Sequence, residues 1–346
     1  MGDVPEDRHG RYRPGSLRAF LLPGTPLGTL LVTLVVVLVV GLAGTLAGAL
    51  VGTLVGSLVG TSFADATPDV APVRVMSFNL RYGTAQDGDD AWPHRQEFVA
   101  DVIAAFSPDL LGTQECLALQ ADYLREQLPE YGFVGVGRDD GARGGEMCAI
   151  FYRRERFEKL DEGHFWLSET PAIVASKSWD SALTRMATWV KLRPTTADAP
   201  AFYLLNTHFD HVGVRAREES ARVILSQLAA IAGEADRATP VIITGDFNAP
   251  ADTCLAGPYR VFMRPPGHPD RTGHRYADPY ATLHPAATAS GTFNAFDGRR
   301  DGPRIDWILA SETWVPVEAD ILRTSRDGRY PSDHFPVTAV LSTSHE

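Results

Sequence analysis

Six short polar clusters follow or interrupt strand-like apolar segments, and this repetition narrows the possible folds more than any other feature of the sequence. In chain order the clusters are Ser77-Phe78-Asn79, Gln114-Glu115, Thr207-His208-Phe209-Asp210, Gly245-Asp246-Phe247-Asn248, Ile305-Asp306 and Ser332-Asp333-His334. The apolar segments beside them are residues 73–76, 110–111, 202–205, 241–243, 307–309 and 337–340. Because a rigid sheet aims side chains more precisely than a free loop does, sites form at strand ends in layered folds. The pattern therefore indicates an enzyme.

Two longer segments between these strands repeat apolar residues at the helical period. They are residues 93–106 and 215–232. Helix-sized segments between short apolar strands predict an α/β fold with helices packed on sheets. The six clusters come from both halves of residues 73–346, and they form a complete catalytic site only in combination. We therefore expect this region to form one catalytic domain.

The net charge of −11 belongs entirely to the part of the chain that contains the clusters, because residues 1–66 have four arginines and four acids. Such an acidic body lacks the broad basic surface of a processive nucleic-acid binder. A nuclease whose metal and few arginines contact the phosphate locally is not excluded. The composition mildly favours a small or lipid phosphoester as the substrate.

The three cysteines have no CxxC or zinc-like spacing. We expect Cys116, Cys148 and Cys254 to be buried thiols. A disulfide at Cys116 would disturb the neighbouring Glu115.

Residues 27–60 contain no charged side chain and would be about 51 Å long as a helix. A bilayer core needs about 20 residues and a signal-peptide core about 7–15, so the stretch is too long for an ordinary cleaved signal. Within it Gly44, Gly48, Gly52, Gly56 and Gly60 recur at every fourth position. Such a smooth helix face allows close approach of a second copy, although a small-residue repeat without a partner is an equal alternative.

Arginines before this hydrophobic stretch and acids after it predict its orientation. Residues 1–26 form a cytoplasmic tail, residues 27–60 a membrane segment, residues 61–72 a linker, and residues 73–346 an exported catalytic domain. The alternative is a protein secreted after cleavage near Ala66, since Ala64-Asp65-Ala66 resembles a small-x-small cleavage site.

Glu115 ends one apolar segment and is the hard oxygen ligand that magnesium or manganese prefers. Asn79 ends another and could hold that carboxylate or the metal. Taken alone, Glu115 would be a surface acid and Asn79 a turn residue.

Asp246 and Asn248 follow a fully apolar strand. On an extended backbone their side chains would point the same way. One of the two side chains could then orient and deprotonate a water molecule while the other binds a phosphate oxygen. An Asx turn after the strand is the alternative for this pair.

Asp333 and His334 lie just ahead of the final strand, and histidine can donate or accept a proton at neutral pH. Asp306 is a candidate for holding the tautomer of His334. His208 and Asp210 supply a second imidazole and carboxylate after the strand at residues 202–205.

The ordered combination resembles the endonuclease/exonuclease/phosphatase superfamily, which includes pancreatic-type deoxyribonucleases, inositol-polyphosphate 5-phosphatases and neutral sphingomyelinases. The motifs are Met76-Ser77-Phe78-Asn79, Thr113-Gln114-Glu115, Asn206-Thr207-His208, Gly245-Asp246-Phe247-Asn248, Arg304-Ile305-Asp306 and Ser332-Asp333-His334. The resemblance covers about residues 73–342, and segments 165–171 and 291–294 are similar to those of bacterial secreted or membrane-linked members. It implies a deoxyribonuclease I-like four-layer α/β/β/α sandwich.

The resemblance also implies roles for the site residues. Glu115 would be the principal Mg²⁺ (or Mn²⁺) ligand, assisted by Asn79 and Asp333. Asp246 would orient the attacking water, Asn248 and His208 would contact the phosphate, and His334 paired with Asp306 would stabilise or protonate it. Arg185 and Asp210 are candidate substrate contacts, with a structural salt bridge as the equal alternative for Arg185.

These features predict a metal-dependent phosphoesterase in which water attacks phosphorus. Its substrate would be a nucleic acid, a phospholipid or a small molecule, and an extracellular nuclease is the nearest alternative. The alternative from another class is a membrane-tethered binding module without activity. Such a module would be expected to lack Glu115, Asp246, Asn248 or His334, all of which are present.

Overall fold

The computed structural model describes residues 71–196, 199–233, 235–251, 257–263 and 274–343. The predicted cytoplasmic tail, the membrane segment with its glycine repeat, nearly all of the linker and Cys254 lie outside the described residues. Among the described residues, no helix is both long and apolar enough to cross a bilayer.

The described residues form twelve strands and five helices. The strands are β1 (Val73–Asn79), β2 (Leu110–Cys116), β3 (Tyr131–Val134), β4 (Met147–Arg153), β5 (Phe157–Trp166), β6 (Met186–Pro194), β7 (Phe202–His208), β8 (Val241–Asp246), β9 (Tyr276–Ala277), β10 (Asp306–Ser311), β11 (Trp314–Ile321) and β12 (Val337–Thr343). The helices are α1 (Trp92–Phe106), α2 (Ala118–Gln127), α3 (Val214–Ala232), α4 (Pro258–Met263) and α5 (Pro279–Leu283), with a 3₁₀ turn at Gly88–Asp90. Both helices predicted from the apolar period, α1 and α3, are present, and all six apolar segments lie in strands.

The strands form two mixed six-stranded sheets. The first has the order β11-β12-β1-β2-β4-β3 and the second has the order β5-β6-β7-β8-β10-β9. In each sheet one central pair is parallel, β1 with β2 and β7 with β8, while the other neighbouring strands are antiparallel. In each sheet the carboxyl ends of the two parallel strands therefore meet at the same edge.

Alternation along the strands separates three apolar cores. In β1, Val75 packs between the sheets, whereas Met76 packs against α1 and α2. In β8, Ile242 packs between the sheets and Ile243 packs against α3 and α4. Each sheet thus has one face on the other sheet and one face under helices, which confirms the predicted four-layer arrangement of the described residues.

The sheets approach closely just below the site. A Cβ on Gly112 of β2 would overlap Thr244 Oγ1 of β8 and lie 2.7 Å from Asn206 Oδ1 of β7. Gln114 Nε2 donates a 2.7 Å hydrogen bond to Asn206 Oδ1, and Asn206 Nδ2 donates to the carbonyls of Thr113 and Ala149. Glycine at position 112 therefore permits a buried polar bridge between the sheets.

The two described cysteines are free, buried thiols, as expected. Burial raises the pKa of both Cys116 and Cys148 to about 12, so neither is a thiolate at neutral pH.

Substitution of Gly112 by alanine should destabilise the fold by about 1–3 kcal/mol, because the added methyl group must push the sheets apart or displace Thr244. Urea unfolding of the full chain gives the free energy of unfolding. Gly302→Ala is the matched control, since a Cβ there would meet no atom within 4 Å. Equal stability of the two variants would contradict this role of Gly112.

Candidate active site

Three of the predicted site residues lie side by side across the second sheet. The register pairs His208, the last residue of β7, with Asp246, the last residue of β8. It also pairs Asp246 with Asp306, the first residue of β10. By the same alternation that places Ile242 between the sheets, all three side chains face the first sheet.

A β-bulge in the first sheet turns Glu115 toward these residues. The register of β2 with β4 shifts between Thr113 and Cys116, and Glu115 has a φ of 56°. Regular alternation would point Glu115 to the same side as Leu111, which packs under the helices. The bulge redirects the carboxylate into the cavity between the sheet edges. A left-handed backbone at a glutamate is strained, and such strain is concentrated at functional sites.

Asn79 connects the two carboxylates across the sheets. Its Nδ2 donates to Glu115 Oε1 at 3.1 Å and to Asp246 Oδ2 at 3.0 Å. Its Oδ1 accepts the backbone N–H of Arg81, which sets the orientation of the amide. In this arrangement Asn79 holds both carboxylates rather than offering its oxygen as a ligand.

His334 is held by Asp306, as the sequence predicts for this pair. The Nδ1 atom donates to Asp306 Oδ2 at 2.9 Å, and Nε2 lies 3.8 Å from Asp246 Oδ2. Burial by itself would lower the pKa of His334, but the charges of Asp306 and Asp246 raise it well above its ordinary value. The imidazole is therefore protonated at neutral pH and can donate from Nε2.

Asp246 is a carboxyl group of near-neutral pKa. Burial and the charge of Asp306 raise its pKa to about 7, against the lowering effect of His334. The residue also ends its strand in an Asx turn, because Asp246 Oδ1 accepts the N–H of Asn248 and Asn248 has a φ of 47°. The expectation of an extended backbone from 246 to 248 was therefore wrong, although both side chains still reach the cavity.

His208 is neutral and hydrogen-bonded to Asn248. Asn248 Nδ2 donates to His208 Nε2 at 3.1 Å, so the ring proton lies on Nδ1, 3.7 Å from Glu146 Oε2. Burial lowers the pKa of His208 well below its ordinary value, and the charges of Arg185 and Arg138 lower it further. Glu146, which the sequence did not single out, is thus part of the site.

Arg185 and Asp210, the two predicted substrate contacts, have different surroundings. Arg185 lines the cavity and donates from Nη2 to His211 Nδ1 at 3.2 Å. Asp210 accepts backbone N–H groups from Leu183, Val212 and Gly213. These bonds outweigh burial and depress the pKa of Asp210, whose side chain holds the loop and is absent from the lining of the cavity.

Arg95 of α1 joins the loops that bear the two halves of the site. Its buried guanidinium donates to the carbonyls of Leu80, Arg81 and Pro331, and also to that of Asp90. Burial lowers its pKa to about 10, so it is still a cation at neutral pH. Nothing in the sequence indicates that Arg95 is buried, and its role in joining these loops was not predicted.

A cavity of about 720 Å³ opens at this edge of the sandwich. The predicted residues that line it are Glu115, Arg185, His208, Asp246, Asn248, Asp333 and His334. Residues that line it without having been predicted include Arg81, Tyr82, Glu146, His211 and Phe293. The structure therefore brings residues of all six clusters together around one cavity or directly behind its wall.

The donor set fits a divalent cation. Glu115, Asp246 and Asp333 offer hard oxygen atoms to one cavity. Burial raises the pKa of Asp333, and the negative charge of Glu115 adds to that effect. A cation among these acids would relieve their repulsion.

A second group of possible ligands lies beside the first. Single atoms of Asp246, Asp306 and His334 all lie within 4.8 Å of one another, the one such group of three among the residues described. In this group His334 already donates a hydrogen bond from Nδ1 to Asp306.

A family model described as the Endonuclease/Exonuclease/phosphatase family matches residues 76–334. The match includes the strands and loops that form the cavity.

The chain is also similar to solved structures of bacterial proteins. An endonuclease/exonuclease/phosphatase from Bacteroides vulgatus is 34% identical, with a TM-score of 0.69 over 80% of this chain and 100% of that one. A mannosyl-6-phosphatase from Bacteroides thetaiotaomicron is 34% identical, with a TM-score of 0.67 over 78% of this chain and 99% of that one. An uncharacterised protein of Acanthamoeba polyphaga mimivirus is 28% identical over 185 residues, which is 51% of this chain and 67% of the relative.

Replacement of Asp306 by asparagine should lower the pKa of His334, because the amide removes the nearer of the two negative charges. The titration of the imidazole can be followed by ¹⁵N NMR of the full chain with chelator present. The ring should remain protonated to a higher pH in the wild type than in the variant.

The raised pKa of His334 also predicts how the stability of the fold changes with pH. Because the folded-state pKa of His334 is raised, the contribution of His334 to stability is complete below about pH 6.5 and is lost as pH rises through the folded value.

Asp109→Asn, at a buried carboxylate paired with Arg156, is the control for Asp306→Asn and should leave the His334 titration unchanged. Identical titrations in the wild type and in Asp306→Asn would contradict the assignment.

Proposed function

The chain belongs to the Endonuclease/Exonuclease/phosphatase family, and from this premise we propose that it is a metal-dependent phosphoesterase in which water attacks phosphorus. The observation that supports the proposal best is the juxtaposition of Asp246 and His334. A carboxyl group with a pKa of about 7 lies 3.8 Å from a protonated imidazole in an open cavity. Such a pair supplies a proton acceptor and a cationic hydrogen-bond donor at neutral pH.

In the proposed reaction a bond forms between the water oxygen and phosphorus, and the bond from phosphorus to the ester oxygen breaks. Asp246 accepts the proton of the water, and the leaving oxygen takes a proton from solvent. His334 donates from Nε2 to a peripheral phosphoryl oxygen. In an in-line displacement the leaving group lies on the side of phosphorus opposite to the attacking water. Because His334 Nε2 lies only 3.8 Å from Asp246 Oδ2, which accepts the proton of the water, His334 is too close to that side to reach the leaving group.

The remaining residues bind and orient the phosphate group. Asn248 and His208, 3.1 Å apart, form one wall beside the proposed phosphate position. The amide of Asn248 donates to His208 Nε2 and to the carbonyl of Phe209, which fixes this wall. Glu115 and Asp333, with Asn79 positioning Glu115, would hold the divalent cation. When bound, Mg²⁺ or Mn²⁺ supplies neutralisation of the negative charge that develops on the phosphoryl oxygens.

A sugar phosphate is the first substrate class to test. The similar Bacteroides thetaiotaomicron protein is a mannosyl-6-phosphatase and matches over nearly its whole length. With Mg²⁺ or Mn²⁺ the full chain should hydrolyse mannose 6-phosphate, and a chelator should stop the reaction. Asp246→Asn and His334→Gln should each lower kcat by roughly 10²–10⁴-fold, the typical effect of losing acid–base or charge stabilisation in the transition state.

The exposed His94 and Asp101 supply matched controls for these variants, and His94→Gln and Asp101→Asn should retain full activity. Wild-type-like rates in Asp246→Asn would contradict the mechanism. Faster hydrolysis of DNA, RNA or sphingomyelin than of sugar phosphates would favour the nuclease or lipid alternative. No hydrolysis of any of these substrates would favour the binding module.

We further propose that the catalytic domain is exported and anchored by residues 27–60, with the glycine repeat available for homo-oligomer formation. The support is the charge-free stretch, the arginines before it and the acids after it. Protease added to intact spheroplasts should digest the domain. Protection of the domain until the membrane is lysed would contradict this location, and a shortened secreted form would indicate cleavage near Ala66.

A further inference from the structure

Arg185 has hydrogen-bond donors that no described residue uses. Its side chain is only 4% exposed, yet Nε and Nη1 have no hydrogen-bond partner among the residues described. The one hydrogen bond it donates is from Nη2 to His211. A buried guanidinium with unused donors is unfavourable unless an anion completes it.

The neighbouring acids are already occupied. Asp210 Oδ2 lies 3.7 Å from Arg185 Nε, but both oxygens of Asp210 accept backbone N–H groups. Glu146 is bound by both terminal nitrogens of Arg138, at 2.8 and 2.7 Å. Arg185 is therefore not neutralised by a close, directed ion pair of its own.

Arg185 lies on the same cavity wall as the site residues. It immediately precedes β6, and β6 pairs with β7, the strand that ends in His208. His208 is in register with Asp246 on the next strand. Neighbouring strands are about 4.8 Å apart, so the long side chain of Arg185 can reach a group held by His208 and Asp246.

We propose that Arg185, positioned by His211, binds a terminal oxygen of the scissile phosphate and makes the site selective for phosphomonoesters over phosphodiesters. This inference rests on the proposed phosphoesterase function. A monoester has a charge near −2 at neutral pH and three terminal oxygens, whereas a diester has a charge of −1 and two. The unused donors of Arg185 match the extra oxygen and the extra charge.

His334 and the proposed cation cannot supply this selectivity by themselves. Both would contact oxygens that monoesters and diesters have in common. In a diester the third position is an ester oxygen, which is a poor acceptor and has a carbon substituent directed at the wall formed by Arg185. The buried guanidinium would then remain unpaired, and a site built for a hydrogen bond rejects a ligand that cannot make it.

The test compares p-nitrophenyl phosphate with methyl p-nitrophenyl phosphate, a pair with the same leaving group and one charge of difference. Wild-type full chain should have the higher kcat/KM for the monoester. Arg185→Gln should lower kcat/KM for the monoester by roughly 10- to 100-fold, the usual effect of losing a hydrogen bond to a charged group. The value for the diester should change by less than about threefold, because a diester does not use this donor.

Two further variants separate recognition from folding and from overall charge. Arg185→Lys keeps the charge but loses the planar fork, so its selectivity should lie between those of the wild type and Arg185→Gln. Arg193→Gln removes an exposed charge outside the cavity, where Arg193 pairs with Glu158, and should leave the monoester-to-diester ratio unchanged. Thermal unfolding of each variant verifies that it is folded.

Binding of inorganic phosphate, measured by calorimetry, gives a readout that does not need turnover. Arg185→Gln should weaken phosphate binding, while Arg193→Gln should not. Equal losses for monoester and diester in both Arg185 variants, or unchanged phosphate affinity in Arg185→Gln, would overturn the inference. If the wild type hydrolyses neither ester, the proposed function fails, and the phosphate titration still decides whether Arg185 is an anion site.

Discussion

One side-chain amide connects the two halves of the site. Asn79 ends a strand of the first sheet, and its two N–H bonds reach Glu115 in the same sheet and Asp246 in the other. The amide thereby sets the separation between the carboxylate proposed to hold a cation and the one proposed to accept a proton. Aspartate at this position would add a third negative charge, and a hydrophobic residue would leave both carboxylates without this donor.

The two sheets lie close together beneath this amide, where a Cβ on Gly112 would overlap Thr244 Oγ1 of the opposite sheet. Gly112 allows Asn206 and Gln114 to meet in a fully buried hydrogen-bond network, whereas deeper in the sandwich the contacts between the sheets are apolar. Directed hydrogen bonds accept only a narrow range of relative positions of their groups, while apolar side chains tolerate sliding. The network therefore holds the edge of one sheet against the edge of the other where the site needs it.

The sequence predicted the layers and the gathering of the clusters because both follow from simple patterns. Short apolar runs identify the strands, a period of 3.6 in the apolar residues identifies α1 and α3, and polar residues at strand ends identify the edge that holds the site. The orientation of Glu115 could not be predicted in this way, since the bulge depends on how β2 pairs with β4 far along the chain. The unused donors of Arg185 could not be predicted from the sequence either. They exist because Asp210 accepts hydrogen bonds from its own loop, and no local sequence pattern indicates those bonds.

The cavity contains three acids, Glu115, Asp333 and Asp246, together with the incompletely paired guanidinium of Arg185. Burial raises the pKa of Asp333 and of Asp246, and a nearby negative charge adds to that effect in each case, Glu115 for Asp333 and Asp306 for Asp246. A divalent cation near these acids would favour their charged forms, so that metal binding and the protonation of Asp246 would be linked. Arg185 is a cation whose Nε and Nη1 have no hydrogen-bond partner among the described residues. A phosphate group bound between a divalent cation and Arg185 would therefore reduce the uncompensated charge of both.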